Sequence, residues 1–382
     1  MIYFDNAATG GRKPDAVLSA VNAAIKVCAN PGRGGHKLAL ACAKIVQDCR
    51  STLDRYFDGY GFDRVVFTKN CTEALNIALL GTLQQGDHVI VSCMEHNSVL
   101  RPLEYLRKKS VITYDVCPLS SDSLDGNITP ENVCALLKPN TRLVAITTAS
   151  NVNGAMPPIQ KIRAALPPDI LLLCDGAQGG GHFPISMQKL GIDFLTLAGH
   201  KGLHGIQGSG ALLFSERVNP TPIVYGGTGS ISLSLDMPDF YPDALEAGTI
   251  SFPAVLSLLE GVRFLQFHAE ETARRLTALC TYFLNGLSIL SAYRAYSKPN
   301  PCGIVAFTHK ELQSEYLADV LSNEYTIAVR SGLHCAPFMH EALGSLDGGL
   351  VRVSFSHFSK EREIDVLLNA LKDLENRKSQ GL

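Results

Sequence analysis

Between residues 64 and 215 the chain repeats one pattern, a short apolar run followed by a mixed stretch rich in small and polar residues. The runs are RVVFT (64–68), DHVIVSC (87–93), TRLVAITTAS (141–150), ILLLCDG (170–176), DFLTLAG (193–199) and GALLFS (210–215). Continuous apolar runs of this length belong to strands covered on both faces, so the pattern predicts an α/β fold with a mostly parallel sheet between helices. The segments CTEALNIALLGTL (71–83) and PIQKIRAALP (158–167) carry apolar residues at helical spacing. A Gly/Pro-rich passage over about 219–253 precedes a long helical pattern, PAVLSLLEGVRFLQFHAEETARRLTALCTYFLNGL. Two more strand patterns, GIVAFT (303–308) and LVRVSFS (350–356), and a last helix then read as a smaller α+β unit. No internal repeat is present.

Length and composition add limits to this picture. A chain of 382 residues is long for a single core, so two domains are expected. Lys plus Arg number 34 against 36 for Asp plus Glu, which gives no general attraction to nucleic acid or to an anionic membrane. The N-terminal MIYFDNAATGG lacks the basic and apolar regions of a secretion signal. Apolar runs such as ILLLC fall far short of the roughly 18 residues that a membrane helix needs. Eleven scattered cysteines without a C-x-x-C pair predict free thiols and a cytoplasmic setting rather than a disulfide framework or a zinc ribbon.

The chemistry is concentrated just after each strand. VVFT is followed by KNCTEALN, VIVSC by MEHNS, ITTAS by NVNG, LLLC by DGAQ, and LTLAG by HKGLHG. Ligands of an open parallel sheet sit beyond the carboxyl ends of its strands, so Thr72, His96, Asn151, Asp175, Gln178, His200 and Lys201 should meet on one rim. A helix start with a hydroxyl suits a phosphate. Asp175, at the end of a buried strand, needs a cationic partner. Lys201 follows an apolar strand, where burial lowers an amine's pKa and makes it nucleophilic. A phosphate, a protonated ring nitrogen and an aldehyde for a lysine together describe pyridoxal phosphate, with His96 placed to stack on its ring.

Each element has a plainer reading alone: Asp175 as a turn residue, GHKG as a surface turn, HGIQGSG as a dinucleotide loop. The last is disfavoured because GSG leads into a strand and not into a helix. Cys93, His96 and Cys174 match no standard metal spacing, so no metal is expected. The joint order of the strand-end residues favours the cofactor.

In order along the chain, YFDNAAT, NPGRGGH, CTEALN, MEHNSV, SNVNG, CDGAQ, AGHKGLHGIQGSGAL, EAGT and RSGLHCA resemble the class V aminotransferase superfamily of fold-type I pyridoxal-phosphate enzymes. Within it the resemblance is to group II cysteine desulfurases, the SufS-like and selenocysteine-lyase branch. It implies a large cofactor-binding domain over 14–250, and a smaller α+β domain from 1–13 and 251–382 that carries the cysteine loop. It further implies Lys201 as the Schiff-base lysine, His200 and Thr72 at the phosphate, Asp175 at the pyridine nitrogen and Gln178 at the ring hydroxyl. Cys71 and Asn151 stand among the cofactor-binding positions, and His96 would stack on the ring and handle protons. Asn151, Arg330, Arg352 and His36 would meet the substrate, the last from the mouth of the site. Thr249 in EAGT would complete the phosphate site of the second subunit of a homodimer. Three positions depart from the family: Ala198 for a phosphate-contacting serine, NCT for a Gly/Thr-Thr pattern, and Leu333 for a histidine. The start near YFDNAAT leaves an N-terminal helix of many relatives without a counterpart.

Cys335 completes the implied chemistry. As a thiolate it would attack the sulfur of substrate cysteine, leave alanine, and pass the sulfur to an acceptor protein, with selenocysteine the other candidate substrate. Arg330 and His334 would favour the thiolate if the loop folds them toward it, and Gly332 would give that loop freedom. Selenocysteine lyase, cystine C–S lyase, a transaminase and a non-catalytic cofactor-bound scaffold are the competing expectations.

Overall fold

A computed structural model describes residues 1–31, 34–120 and 127–379. Each of the six apolar runs forms a strand of one seven-stranded sheet. After β1 (Ile2–Tyr3), α1 (Asp15–Lys26) and α2 (Lys37–Tyr56) come β2 (Val65–Thr68), α3 (Cys71–Leu80), β3 (Asp87–Ser92) and α4 (Asn97–Lys108). Then follow β4 (Ile112–Cys117), α5 (Pro130–Cys134), β5 (Thr141–Thr147), α6 (Ile159–Ala165), β6 (Leu171–Asp175), α7 (Met187–Leu190), β7 (Phe194–Ala198) and β8 (Gly210–Phe214). The sheet order is β2-β8-β7-β6-β5-β3-β4, and β8 runs antiparallel to both of its neighbours while the other pairs are parallel. The edge strand β4, ITYDVC, went unread because it mixes polar and apolar positions, as an edge with less cover requires.

Burial on both faces shows directly in the strands. Val65, Ile90, Val144, Ile146, Leu172 and Leu195 enter one core, while Val66, Val89, Val91, Leu143, Leu171 and Phe194 enter another. The first core is closed by α2 and the start of α8 (Phe252–Ser288), and the second by α3 and α4.

A third core belongs to the C-terminal elements. They are β9 (Tyr293–Ala295), β10 (Ile304–His309), α9 (Ser314–Asn323), β11 (Ile327–Ala328), β12 (Val351–Ser354) and α11 (Glu361–Ser379), while α10 (Pro337–Ala342), between β11 and β12, puts Met339 in the first core. Strands β12-β10-β9 form an antiparallel sheet, and β1 pairs with β11 in parallel. Helix α8 joins the cores: Phe252, Val255, Leu258 and Val262 pack in the first, and Leu276, Leu279, Phe283 and Leu287 in the third. The N-terminal chain crosses the same divide, since Phe4 lies in the third core and Asn6 Nδ2 donates to the Ser354 carbonyl at 2.8 Å.

Candidate active site

The carboxyl ends of the parallel strands open on a cavity of about 210 Å³. Helix α3 brings Cys71 and Thr72 to it, and the start of α4 brings His96. The turns after β5, β6 and β7 bring Asn151, then Asp175 and Gln178, then His200 and Lys201. Arg330 and Arg352 reach it from the C-terminal unit, where they face each other across an antiparallel bridge. Residues spread over most of the chain thus share one wall.

The wall is built from specific bonds. Asn70 caps α3 by accepting from Glu73 N at 3.0 Å, which leaves the first turn and the exposed Thr72 hydroxyl facing the cavity; Thr72 Oγ1 and Ser98 Oγ are 2.8 Å apart. His96 caps α4: its Nδ1 accepts from Ser98 N at 3.0 Å, so in the neutral ring the proton sits on Nε2. Burial lowers its pKa to about 4 despite Asp175 nearby, so His96 is neutral in physiological conditions. Asp175 is buried, and its Oδ1 accepts from Ala177 N at 2.9 Å and from the Cys71 thiol at 3.3 Å. Burial raises the Cys71 pKa well above the ordinary thiol value, which keeps it a donor. The same effect lowers the pKa of Lys201 and supplies more unprotonated amine.

The arginine subsite is equally defined. Arg352 is buried; Nη1 donates to the Asn151 carbonyl and Nη2 to Asp5 Oδ1, both at 2.8 Å. Burial lowers its pKa to about 10 against the opposing Asp5, which leaves it cationic at neutral pH. The Asn151 side chain, expected at a substrate carboxylate, donates instead to the His334 carbonyl at 2.7 Å. Cys335 is not part of the cavity lining; its Sγ lies 3.9 Å from Arg330 Nη2, beside the lining arginine. Of the two groups expected to favour a thiolate, Arg330 is folded toward Cys335. His334 is turned inward and its pKa is lowered to about 2 by burial, so it brings no charge.

Two expected residues stand apart. His36 caps α2 by accepting from Ala39 N at 3.3 Å and is exposed outside the cavity lining. Of NPGRGGH, Gly32 and Arg33 lie outside the described residues. Thr249 is exposed and lines a separate cleft with Lys69 and Glu73. Ala198 does line the cavity, with no hydroxyl to offer. Sequence reasoning missed Asp5, Ser98 and Glu95, although all three stand inside quoted motifs. The signal for Asp5 was the need of a buried Arg352 for a counter-charge.

The residues fit pyridoxal phosphate. Gln178 Oε1 and Arg352 Nε are buried without a partner in the cavity wall. Among the described residues Asp175 forms no ion pair, as suits a carboxylate waiting for a protonated ligand nitrogen. The capped start of α3 offers an anion site.

Comparison with known proteins agrees. A family model for aminotransferase class-V matches residues 2–367. A probable cysteine desulfurase of Methanothermobacter thermautotrophicus is 30% identical, over 98% of this chain and 94% of that protein. One of Pyrococcus abyssi is 29% identical over the same shares, 98% and 94%. Among solved structures, the apo cysteine desulfurase of Thermococcus onnurineus superposes with a TM-score of 0.88 at 28% identity, covering 100% of this chain and 95% of that one. The cysteine desulfurase CsdA of Escherichia coli gives 0.87 at 26% identity, over 98% and 94%. With a family model matched almost end to end and a strand-end wall that fits the cofactor, the chain belongs to the aminotransferase class-V family of pyridoxal-phosphate enzymes.

Proposed function

We propose that this chain is a pyridoxal-phosphate-dependent cysteine desulfurase of the group II branch, taking L-cysteine to L-alanine and leaving the sulfur on Cys335. The observation that carries the reading is the 3.9 Å contact between Cys335 Sγ and Arg330, a residue of the wall that holds Lys201 and Asp175. Bound at this wall, the cofactor would supply an aldehyde for the substrate amine and an electron sink for the charge left at Cα.

The chain's own groups do the rest. Asp175, a buried carboxylate that needs a cationic partner, would hold the proton of the ring nitrogen. The Lys201 amine, whose pKa burial lowers, takes the Cα proton. Arg352, fixed in plane by Asn151 and Asp5, offers its unpartnered Nε–H to the substrate carboxylate. Cys335, as thiolate beside Arg330, attacks the substrate sulfur. The S–S bond forms as the Cβ–S bond breaks, and the electron pair left on Cβ takes a proton, for which the His96 Nε2–H is a neutral donor on the wall.

The enzyme works as a homodimer in the cytoplasm and hands its sulfur to an acceptor protein. Support for the dimer is Thr249, exposed and outside the lining of its own cavity, in a region with fully exposed Leu233 and Leu235. Support for the compartment is that all eleven cysteines are free. Among the described residues no helix is long and apolar enough to cross a membrane. The test of the function is Cys335→Ala: alanine formation from cysteine should fall about 100-fold or more, while the absorbance of the bound cofactor stays. Undiminished turnover would sink the persulfide step.

A further inference from the structure

The loop that carries Cys335 is short and its backbone is unusual. Gly332, His334 and Cys335 all have positive φ, at 87°, 49° and 57°. For His334 and Cys335 this left-handed conformation is unfavourable, and two such residues in succession persist only where surroundings impose them. Several main-chain bonds contribute. The His334 carbonyl accepts from Asn151 Nδ2, and the Cys335 carbonyl from Asn97 N, each at 2.7 Å. Neither fixes the His334 side chain, whose ring lies inside the protein.

That ring belongs to a chain of contacts that the desulfurase chemistry does not use. His334 Nε2 stands 3.5 Å from the Arg330 carbonyl, His334 Nδ1 is 3.2 Å from His340 Nε2, and His340 Nδ1 is 2.9 Å from Ser345 Oγ. The two rings face each other at 26° with centroids 5.3 Å apart, and all three side chains are buried. Burial makes both rings neutral, so each carries one N–H.

One arrangement of protons satisfies the three contacts of this chain, with the Ser345 hydroxyl turned from the His340 carbonyl 3.4 Å away toward the His340 ring. The Arg330 carbonyl only accepts, so the His334 proton is on Nε2 and Nδ1 has a lone pair. His340 then donates from Nε2, and its bare Nδ1 accepts from the Ser345 hydroxyl. In this arrangement the chain Ser345–His340–His334–Arg330 runs its donors from Ser345 toward Arg330. It closes a ring around the loop, because Arg330 and His334 bracket it. The same Arg330 carbonyl also accepts from Arg352 N at 2.7 Å, which ties the ring to β12.

We infer that His340 is a positioning residue for Cys335: acting through His334, it locks the left-handed His334–Cys335 pair so that the Cys335 thiol stays beside the Arg330 guanidinium at the edge of the cavity. The chemical class served is sulfur transfer from an amino acid to this thiol. Loss of the chain frees the loop to relax toward ordinary backbone angles and withdraws the sulfur, with the cofactor wall untouched. The inference rests on the persulfide reading above.

Two substrates separate the thiol from the wall. Cysteine needs Cys335 to accept its sulfur. Cysteine sulfinate does not: its Cβ–S bond breaks with loss of sulfur dioxide, the electron pair stays on Cβ and is protonated to alanine. With the holoenzyme, His340→Leu should lower kcat for cysteine about tenfold, with KM and sulfinate turnover within about twofold, as for loss of one buried hydrogen bond. It should also change the iodoacetamide alkylation rate of Cys335, read peptide by peptide. His340→Gln, whose amide N–H can take the place of Nε2–H, should restore most of the cysteine rate. Ser345→Ala gives a smaller drop with the same substrate split, and serves if the leucine variant does not fold. An equal fall for both substrates, or unchanged cysteine turnover in all three variants, overturns the inference. A wild-type enzyme that yields alanine from sulfinate and none from cysteine overturns the desulfurase reading, and this inference with it.

Discussion

Glu95 shows how much one buried residue sets. It lies between the end of β3 and His96, is fully buried, and accepts through Oε1 from Ser92 Oγ at 2.5 Å and from Thr147 N at 2.7 Å, while Oε2 has no partner. Burial raises its pKa from 4.5 to about 8. A carboxyl with a raised folded pKa favours folding while it is protonated. That advantage is complete below about 4.5, declines as pH rises, and is gone above about 8. Glu95→Gln, neutral throughout, should therefore gain stability relative to the wild type by on the order of 2–4 kcal/mol between pH 5 and 9. Urea unfolding midpoints at the two pH values measure this; parallel pH profiles would show that Glu95 is ionised in the fold.

At the scale of elements, α8 is the piece that couples packing to the site. A methyl group added at Gly261 would meet the Leu203 carbonyl oxygen at 2.0 Å and two more backbone carbons near 3.1–3.2 Å, and backbone cannot yield. Ser257 in the same half accepts from Ile206 N at 3.0 Å, so this part of α8 braces the turn that follows Lys201. Gly286, in the other half, faces the Leu368 side chain of α11, with the nearest carbon at 2.3 Å. Gly261→Ala should lower the melting temperature, by the equivalent of about 1–3 kcal/mol for overpacking, whereas Gly286→Ala, which meets a side-chain end that can turn aside, should change it little. Only Gly261→Ala should also weaken retention of the cofactor, read from absorbance after dialysis. Equal retention in the two variants would remove the bracing role.

The same helix illustrates what the sequence made legible. Its long apolar pattern was plain, as were the strands buried on both faces, because periodicity reports burial. The strand-end residues also met as expected, since the topology of a parallel sheet sends each turn to one rim. What periodicity does not carry is pairing between distant segments. Asp5 meets Arg352 from the other end of the chain, and the Asn151 amide goes to His334 and not to an open site. The inward turn of His334 depends on φ values at two residues and on His340 one helix later, none of which leaves a pattern in the letters.

For the whole molecule, the unfinished surface is the argument. Residues 224–235 expose Val224, Tyr225, Ile231, Leu233 and Leu235 together, a larger apolar set than isolated surface residues need. The segment leads on to Thr249, exposed and outside the cavity of its own chain. A second copy covering this region would bury the leucines at roughly 25 cal/mol per Å² of apolar surface and bring each Thr249 toward the other chain's cofactor site. Sedimentation of the wild type at micromolar concentration should then give the mass of two chains. The double variant Leu233→Asp, Leu235→Asp should sediment as one chain, and its cofactor affinity should fall with its association. Thr249→Ala should lower that affinity about fivefold, the loss of one hydrogen bond, and leave the dimer intact. A wild-type enzyme that is monomeric and fully active at these concentrations would place Thr249 outside the cofactor site altogether.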